Sequence, residues 1–545
     1  MARRRWRLVL TSLTCLGLGL SMVTMGANKD DALWFVSSPN AHSTDAIGAA
    51  IDACGGERVF TPATLDTVAA KLTHRQRATL RASGFTLYAA YGRLSTSTFH
   101  GRADDELAAA THTAASGALA VHQAGVKGDV TIAFVDTGIG RGQSHRMPDR
   151  VLAEVDFVND GVDGDPNGHG THLVRIAMAS AQQDNPRLLG IAPRARLVSL
   201  RAFDEYGSAT YLDVVRALDW VIAHREQYDI RVLNLSFAAP PLSWYWNDPI
   251  NRAVMRAWGE GIVVVAAAGN LGPDAMTIGV PANVPYVITV GATTVSQTRD
   301  HSGHVRLASF SSAGPTYEGF VKPEILAPAG HRGAWIVDEG AGAGIEREGA
   351  PGVTGTSQAA AVVSGVVALM LDARPELTPD DVKCRLMSSA RTAITQDGQP
   401  AVSVFQQGVG RVDAFAAVRS RRSGCANRRL DVRADLAGIR HFGGPANQHE
   451  DGHFFVVAPE DGSELTTAGY GWVQEQPSPV GYTWSMGHAW NDGFSWSQGY
   501  TWSQGYTWSR GYTWSIGYTW SQSLPWYDEF ASKPVPMDTA ISLSW

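Results

Sequence analysis

The apolar residues of this 545-residue chain are grouped into runs that predict buried strands and one buried helix. Two short runs, Val130–Val135 and Ile262–Ala268, are rich in β-branched and small residues, as is typical of strands covered on both faces in a parallel sheet. A longer run, Gln358–Met370, is apolar almost all round and predicts a helix in the middle of a large core. The pattern therefore favours an α/β fold with a mainly parallel sheet.

The first hundred residues carry a separate pattern. Residues 72–82 predict a helix, with Thr73 and Gln76 at capping-box spacing and Gly84 as a stop. The following run, Phe85–Tyr91, predicts a strand. Residues 28–112 are therefore expected to form a small α+β module, and the polar, Ala-rich residues 95–114 are expected to be a linker open to processing.

Four polar side chains that could take part in catalysis lie at the ends of predicted elements. Asp136 follows the first strand, at the edge where parallel sheets place their ligand chemistry. His169 begins an Ala-rich helical stretch, where the helix dipole favours the neutral imidazole. Asn270 ends the second strand as an amide donor. Ser357 lies at the start of the buried helix, whose free N–H groups stabilise an anion.

The order Asp136, His169, Asn270, Ser357 resembles that of the subtilisin-like serine peptidases. The resemblance covers roughly residues 115–419. Further segments that match the family's pattern are Val232–Ser236, Ala308–Pro315, Lys322–Pro328 and Gly408–Ala414.

This resemblance implies a subtilisin-like three-layer catalytic domain over residues 113–419. It implies that Ser357 is the nucleophile, His169 the base and Asp136 the residue that orients the base. Asn270 would bind the oxyanion, because a neutral serine hydroxyl needs both a base and a stabilised intermediate. Such an enzyme would hydrolyse protein or peptide substrates.

The resemblance also assigns substrate binding to Ser236 and Gly269, and an inhibitory propeptide to residues 28–112. For that module the alternative is a structural domain that is never removed. Small residues around Gly269 suggest an open apolar pocket.

Each motif has an alternative. Asp-Thr-Gly at Asp136 is also the triplet of aspartic peptidases, but those enzymes need two such carboxylates, and the chain holds no second triplet. His169 and His172 could share a metal ion, but no Glu lies between them in the usual pattern. A further alternative is a protein with a peptidase fold that binds a partner without cleaving it. The intact set of four residues argues against this alternative.

Some positions depart from the family's pattern. Arg175 and Ala238 stand where Gly is usual, and Ala361 stands where Pro is usual. Arg175 could extend outward from its helix, and Ala238 could narrow the cleft where substrate backbone pairs. The aromatic segment Pro240–Trp246 could line the cleft or pack on its own rings.

The N-terminal residues predict export. Residues 1–27 combine arginines with an apolar run, as in a signal peptide, with an uncleaved anchor as the alternative. In an exported protein, Cys384 and Cys425 could form a disulfide, although spacing alone leaves both as possible free thiols. The net charge of -7 gives no case for nucleic-acid binding. The prediction is a secreted or cell-surface protein.

No cofactor is expected. Asp160, Asp163 and Asp165 could hold structural calcium, but they form no clear motif and an acidic loop is the simpler interpretation.

A six-residue unit, Gly-Tyr-Thr-Trp-Ser-x, recurs over residues 481–522 and is followed by a tail at 523–545. In an extended chain the even period places Tyr and Trp on one face. This low-complexity aromatic tail favours contact with a cell-surface or envelope partner, and an adhesin that works through these repeats is an alternative function. Residues 420–480 are interpreted as a linker or small C-terminal region.

Overall fold

A computed structural model describes residues 32–38, 43–90, 93–96, 112–144, 147–180, 189–295, 305–329, 355–392, 402–448, 454–457, 464–465 and 488–489. The predicted signal peptide, the C-terminal tail and the aromatic repeats apart from residues 488–489 lie outside the described residues.

The strands in chain order are β1 Leu33–Ser37, β2 Glu57–Phe60, β3 Thr67–Lys71, β4 Thr86–Ala89, β5 Arg93–Thr96, β6 Thr131–Asp136, β7 Val151–Asp156, β8 Arg196–Arg201, β9 Ser208–Thr210, β10 Ile230–Leu235, β11 Phe237–Ala238, β12 Val263–Ala267, β13 Ile288–Val295, β14 Val305–Leu307, β15 Ile325–Pro328, β16 Phe442–Gly443, β17 Ala446–Gln448, β18 Phe454–Val457, β19 Glu464–Leu465 and β20 His488–Ala489.

The helices are α1 Thr44–Ala53, α2 His74–Ala82, α3 Ala118–Gln123, α4 Arg141–Ser144, α5 His169–Met178, α6 Tyr211–Ala223, α7 Pro249–Gly259, α8 Thr356–Ala373, α9 Pro379–Ser389, α10 Val404–Gln407, α11 Ala414–Arg419 and α12 Val432–Leu436.

The main sheet is parallel, as the apolar runs predict. Its strands follow the order β7-β8-β6-β10-β12-β13, and β15 then pairs with β13. Only the short β14 runs antiparallel among its described strands. Every residue of β6 and β12 is buried, because helices cover both faces of the sheet. The predicted α/β fold with a mainly parallel sheet is confirmed.

Helices α5 and α8 contact each other at one face of the sheet, and α6 and α7 pack together against the other. Residues 356–371 of α8 are buried without exception, so the helix burial predicted from its apolar composition is confirmed. Although α8 is long and apolar enough to span a membrane, it is buried inside the protein, as in the core helix of a soluble domain.

The N-terminal module is a four-stranded antiparallel sheet, in the order β2-β3-β1-β4, with α1 and α2. The capping box predicted at Thr73 is present, since Thr73 Oγ1 accepts from Gln76 N and Gln76 Oε1 accepts from Thr73 N. Side chains alternate along β1. Trp34 packs in the module's own core, and Phe35 joins the core of the main domain, so one face of the module docks on that domain.

Packing of the main body continues beyond residue 419. Cys384 and Cys425, whose pairing the sequence leaves open, form a disulfide. The Asp435 side chain of α12 is fully buried and accepts hydrogen bonds from the Tyr245 hydroxyl at 2.6 Å and the Tyr286 hydroxyl at 2.9 Å. The opposite oxygen of Asp435 contacts His441 Nδ1 at 2.7 Å.

The aromatic segment at Pro240–Trp246 packs against this C-terminal region. The Trp246 ring stacks on His441 with a centroid distance of 4.5 Å, and Trp244 stacks on Trp246 at 5.4 Å. Tyr245, between them, is fully buried. The segment therefore anchors residues 435–442, which favours the packing interpretation over a cleft wall.

We expect Asp435→Ala to lower the free energy of unfolding by about 2–4 kcal/mol, because two buried tyrosine hydroxyls lose their acceptor. Denaturant unfolding measures this loss. Asp435→Asn is the matched control, since its amide keeps one acceptor oxygen and should cost less. An Ala variant as stable as the parent would contradict the proposed anchoring role of residues 435–442.

Candidate active site

Asp136 and His169 meet at the carboxyl end of the sheet. Asp136 is the last residue of β6 and His169 the first of α5, and each is 1% exposed. His169 Nδ1 lies 2.7 Å from Asp136 Oδ1. Thr137 N donates to the same oxygen at 2.8 Å. The buried carboxylate thus fixes one ring nitrogen of His169, and the other nitrogen, Nε2, is buried and has no hydrogen-bond partner among the described residues.

The turn before His169 is held by Asp165. One oxygen of Asp165 accepts from Gly168 N at 2.7 Å, and the other accepts from Thr171 N at 2.8 Å and from Thr171 Oγ1 at 2.6 Å. These bonds satisfy free N–H groups at the start of α5. Asp165 therefore positions His169, a role that the sequence analysis missed. The available signal was an Asp shortly before the helix start, as is common for capping residues.

The other two acidic residues of this loop are engaged by arginines. Asp160 lies 2.7 Å from Arg201, and this hydrogen bond lowers the pKa of Asp160 to about 2. Asp163 pairs with Arg141. Within the described ranges, no three His, Cys, Asp or Glu side chains come together as a metal site.

Ser357 lies on the first turn of α8, where the predicted hydroxyl at a helix N-terminus is observed. Its Oγ donates to Ser236 O at 3.1 Å, and Ser236 Oγ donates to Ser357 O at 3.2 Å. Asn234 Nδ2 donates to Ser236 Oγ at 2.8 Å, and Ser364 Oγ donates to Asn234 Oδ1 at 2.9 Å. This buried network fixes the start of α8 to the end of β10.

The N-terminal ends of α5 and α8 lie side by side. Gln358, next to Ser357, has its Nε2 atom 2.9 Å from Nε2 of His172, one turn after His169. This contact places the first turn of α8, which holds Ser357, against the first turn of α5, which begins with His169.

Asn270 is oriented by the residue before Ser357. Its Oδ1 accepts from Thr356 N and from Thr356 Oγ1, both at 3.0 Å. Because these bonds identify the carbonyl end of the amide, the NH₂ end is the opposite one. Gly269 N also donates to Thr356 Oγ1, at 3.1 Å, so both predicted residues adjoin the start of α8. Gly269 has φ +107°, which disfavours other residues at this position.

A strand of the N-terminal module lies in a groove beside these residues. β5 is the middle strand of a three-stranded antiparallel sheet, between β11 and β9. Thr96 lies opposite Phe237, and Ser95 lies opposite Ala238 on one side and Ser208 on the other. The backbone of Ala238 pairs with Ser95, so its methyl group does not close the cleft.

Gly207 allows the close approach of this strand. Thr96 N donates to Gly207 O at 2.9 Å. A Cβ atom at residue 207 would lie 2.5 Å from Thr96 Oγ1, and the φ of +70° also favours glycine. The pairing of residues 93–96 with β9 and β11 could not be read from the sequence, since it joins segments more than a hundred positions apart.

The module is held by polar contacts as well. Tyr88 Oη donates to Tyr211 Oη at 3.0 Å, and Tyr211 Oη donates to Asp248 Oδ2 at 3.2 Å. Burial raises the pKa of Asp248 to about 6. On α6, Asp219 accepts from Ala63 N and from Thr64 N at 2.9 and 2.8 Å. The Tyr211 hydroxyl and the Asp219 carboxylate of the main domain thus bind groups of the module at two points.

Arg175 is partly buried. Its Nε donates to Gln143 Oε1 at 3.0 Å, so the residue that replaces the usual glycine links α5 to the α4 turn.

Comparisons with known proteins agree with this fold. Residues 127–410 match the model of the subtilase family. Serine protease AprX of Bacillus subtilis is 37% identical over 268 residues, which are 47% of this chain and 59% of AprX. Subtilisin DY of Bacillus licheniformis is 32% identical over 274 residues, which are 50% of this chain and 87% of that protein.

One solved structure shows the same fold. Fervidolysin from Fervidobacterium pennivorans, described as a keratinolytic enzyme related to subtilisin, superimposes with a TM-score of 0.54 at 21% identity. The match covers 79% of this chain and 68% of fervidolysin. The range matched by the family model contains every described strand of the main sheet and all four of Asp136, His169, Asn270 and Ser357. The chain belongs to the subtilase family.

Proposed function

We propose that this protein is a serine endopeptidase of the subtilisin type. The observation that carries the proposal is the buried Asp136–His169 pair, 2.7 Å apart, next to the helix start that holds Ser357. Membership of the subtilase family supports the same conclusion. The proposed chemistry uses only the chain's own residues and needs no cofactor.

In this mechanism Ser357 Oγ attacks the carbonyl carbon of the substrate peptide bond. His169 Nε2 takes the hydroxyl proton and then gives it to the leaving amine. Asp136 accepts the hydrogen bond from Nδ1–H, which keeps Nε2 as the basic atom and stabilises the imidazolium. Water then enters, loses a proton to His169 Nε2 and attacks the acyl carbon. The bond to Ser357 Oγ breaks, Ser357 Oγ takes the proton back from His169, and the acyl group leaves as a carboxylic acid.

The intermediate carries a negative charge on the former carbonyl oxygen. The NH₂ group of Asn270 and the N-terminal end of α8 supply donors and a positive dipole end beside it. Because Thr356 fixes the amide of Asn270, the donor is oriented before the charge develops, which is the condition for electrostatic stabilisation.

Substrates are proposed to be proteins or peptides bound as an extended strand between β9 and β11. The backbone edges of these strands provide the hydrogen bonds, as in other cases of strand addition. Ser236 and Gly269 would border the reacting end of this groove, since Ser236 holds Ser357 and Gly269 precedes Asn270.

The N-terminal module is proposed to be an inhibitory propeptide. β5 already occupies the groove in which substrate would pair, so the docked module blocks binding. A chain in the register of β5 runs from Phe237 toward Ser236, whose carbonyl contacts Ser357. Self-cleavage is therefore expected soon after Thr96, within the linker predicted at residues 95–114.

Export is proposed from the signal-like residues 1–27 and from the Cys384–Cys425 disulfide, since disulfides persist mainly in oxidising compartments. The aromatic repeats at 481–522 are proposed to bind a cell-surface or envelope partner. Such a protein would be secreted and then retained at the surface.

Ser357→Ala should abolish peptide hydrolysis and leave the fold intact, because the change removes the nucleophile and adds no bulk.

Asn270→Ala should lower kcat by about 10²–10³ with little change in KM, as for a donor used in the transition state. Steady-state kinetics on a peptide library measure both. Hydrolysis by Ser357→Ala at the parent rate would contradict the assignment of Ser357 as the nucleophile. A defect of Asn270→Ala in KM alone would contradict the assignment of Asn270 as an oxyanion donor.

The Ser357→Ala chain should accumulate with the N-terminal module attached, whereas the parent chain should carry a new N-terminus between Thr96 and His112. Mass spectrometry of both purified proteins determines this. Identical N-termini would show that the chain does not process itself there.

Gly207→Ala should loosen β5 in the unprocessed Ser357→Ala chain, because the added methyl group collides with Thr96. Hydrogen exchange of the β5 amides should become faster. Gly161→Ala is the matched control, since Gly161 has a similar φ of +77° but no atom within 4 Å of the added Cβ. Equal exchange in the two variants would contradict the close packing of β5 on Gly207.

Truncation after about residue 470 should leave hydrolysis of short peptides nearly unchanged, because every proposed catalytic residue precedes it, and should shift the protein from the cell-bound to the released fraction. Fractionation of cells that produce the two forms tests this. Equal partitioning would make the repeats a passive spacer.

A further inference from the structure

The occupant of the groove shows which side chains the groove can recognise. β5 presents Arg93 and Leu94 before the residues that pair with β11. Leu94 is fully buried in the main apolar cluster, which also contains Phe237 and Tyr211. Arg93 is the opposite case, because its guanidinium forms an ion pair at the surface with Asp204, with Nη2 2.8 Å from Oδ2.

Asp204 is fixed by its own turn and not by Arg93. Its Oδ1 accepts from Tyr206 N at 3.0 Å and from Ser208 N at 2.9 Å, and its backbone N–H donates to Ser208 O at 2.8 Å. Oδ1 is therefore used inside the turn that leads into β9, and Oδ2 is the oxygen that meets the guanidinium. The carboxylate is 20% exposed, so it stays accessible at the rim of the groove.

The turn is also tied to the catalytic side of the groove. Asn167, in the loop before His169, donates from Nδ2 to Glu205 O at 3.1 Å. Among the ion pairs of the described residues, Arg93 is the cation that binds Asp204. Once the module leaves, the groove keeps an oriented carboxylate that has lost this partner, next to the apolar space vacated by Leu94.

We propose that Asp204 is a specificity-determining residue that selects substrates with Arg or Lys immediately before the buried apolar side chain. This inference rests on the proposed peptidase function. The substrate class is thus a protein segment with a basic residue followed by an apolar one, upstream of the cleaved bond. Because the pair is exposed, the preference is moderate, about two- to fivefold in kcat/KM, as for surface ion pairs.

The test uses the full chain after self-processing and a peptide that copies residues 91–100. Matched peptides replace Arg93 by Gln or by Glu. The parent enzyme should cleave the Arg peptide about two- to fivefold better than the Gln peptide, and the Glu peptide least of all. The preference should fade at roughly 1 M salt, where the Debye length is ~3 Å.

Asp204→Asn isolates the charge, since its amide oxygen can still accept hydrogen bonds within the turn. In this variant the Arg and Gln peptides should be cleaved equally. Glu205→Gln is the neighbouring control and should keep the preference for Arg. A peptide with Leu94 replaced by Ala should lose the same factor with parent and Asp204→Asn enzymes, because that position is read by apolar burial.

An unchanged Arg-to-Gln ratio in Asp204→Asn, with normal hydrolysis, would overturn this inference and leave the proposed function intact. Failure of the parent chain to cleave any of the peptides would contradict both. Reversal of the preference in Asp204→Lys, which should favour the Glu peptide, would support direct charge recognition.

Discussion

The burial of helix α8 is the constraint on which the site depends. Sixteen consecutive residues, Thr356–Leu371, are buried, and helices of this kind are held by the surrounding core far more firmly than by their own propensity. The core therefore fixes the position of α8, and with it the position of the helix's first turn. A chain of hydrogen bonds runs from Ser364 through Asn234 to Ser236 and orients the first turn, because it links Ser357 to the end of β10. The Ser357 hydroxyl thus acquires a fixed location from apolar packing and a fixed environment from a few buried polar groups.

Two backbone edges, those of β9 and β11, border the groove. β9 and β11 are short, and between them lies a strand that belongs to another part of the chain. The same hydrogen-bonding edges that hold β5 would hold a substrate, so the proposed inhibition and the proposed substrate recognition would use one surface. This explains why Gly207 matters, since a Cβ atom there would lie 2.5 Å from Thr96 Oγ1 of the strand in the groove. It also explains how one rim carboxylate, Asp204, could affect both the docking of the module and the choice of substrate.

Sequence patterns predicted the elements that are governed by local composition. The apolar runs identified β6, β12 and α8, and the Thr73–Gln76 spacing identified the capping box of α2. The positions of Asp136, His169, Asn270 and Ser357 at element ends followed from the same patterns, and their roles came from the family resemblance. The contacts that depend on long-range pairing could not be predicted. The insertion of β5 between β9 and β11, the anchoring of Asp435 by two distant tyrosines and the disulfide at Cys384 all join segments whose proximity no local pattern encodes. The sequence indicates for Asp165 only a calcium ligand or a loop residue, because its capping role depends on the N–H groups that the folded turn presents to it.

The central claim is that His169 activates Ser357 for attack on a carbonyl. The most direct measurement is the reaction of the processed full chain with a fluorophosphonate, followed by peptide mapping of the adduct. The account predicts one adduct, on Ser357, formed rapidly in the parent protein and far more slowly in His169→Ala, because a serine hydroxyl without a base is a poor nucleophile. A folded, processed protein that forms no adduct, or one that is labelled at another residue, would contradict it.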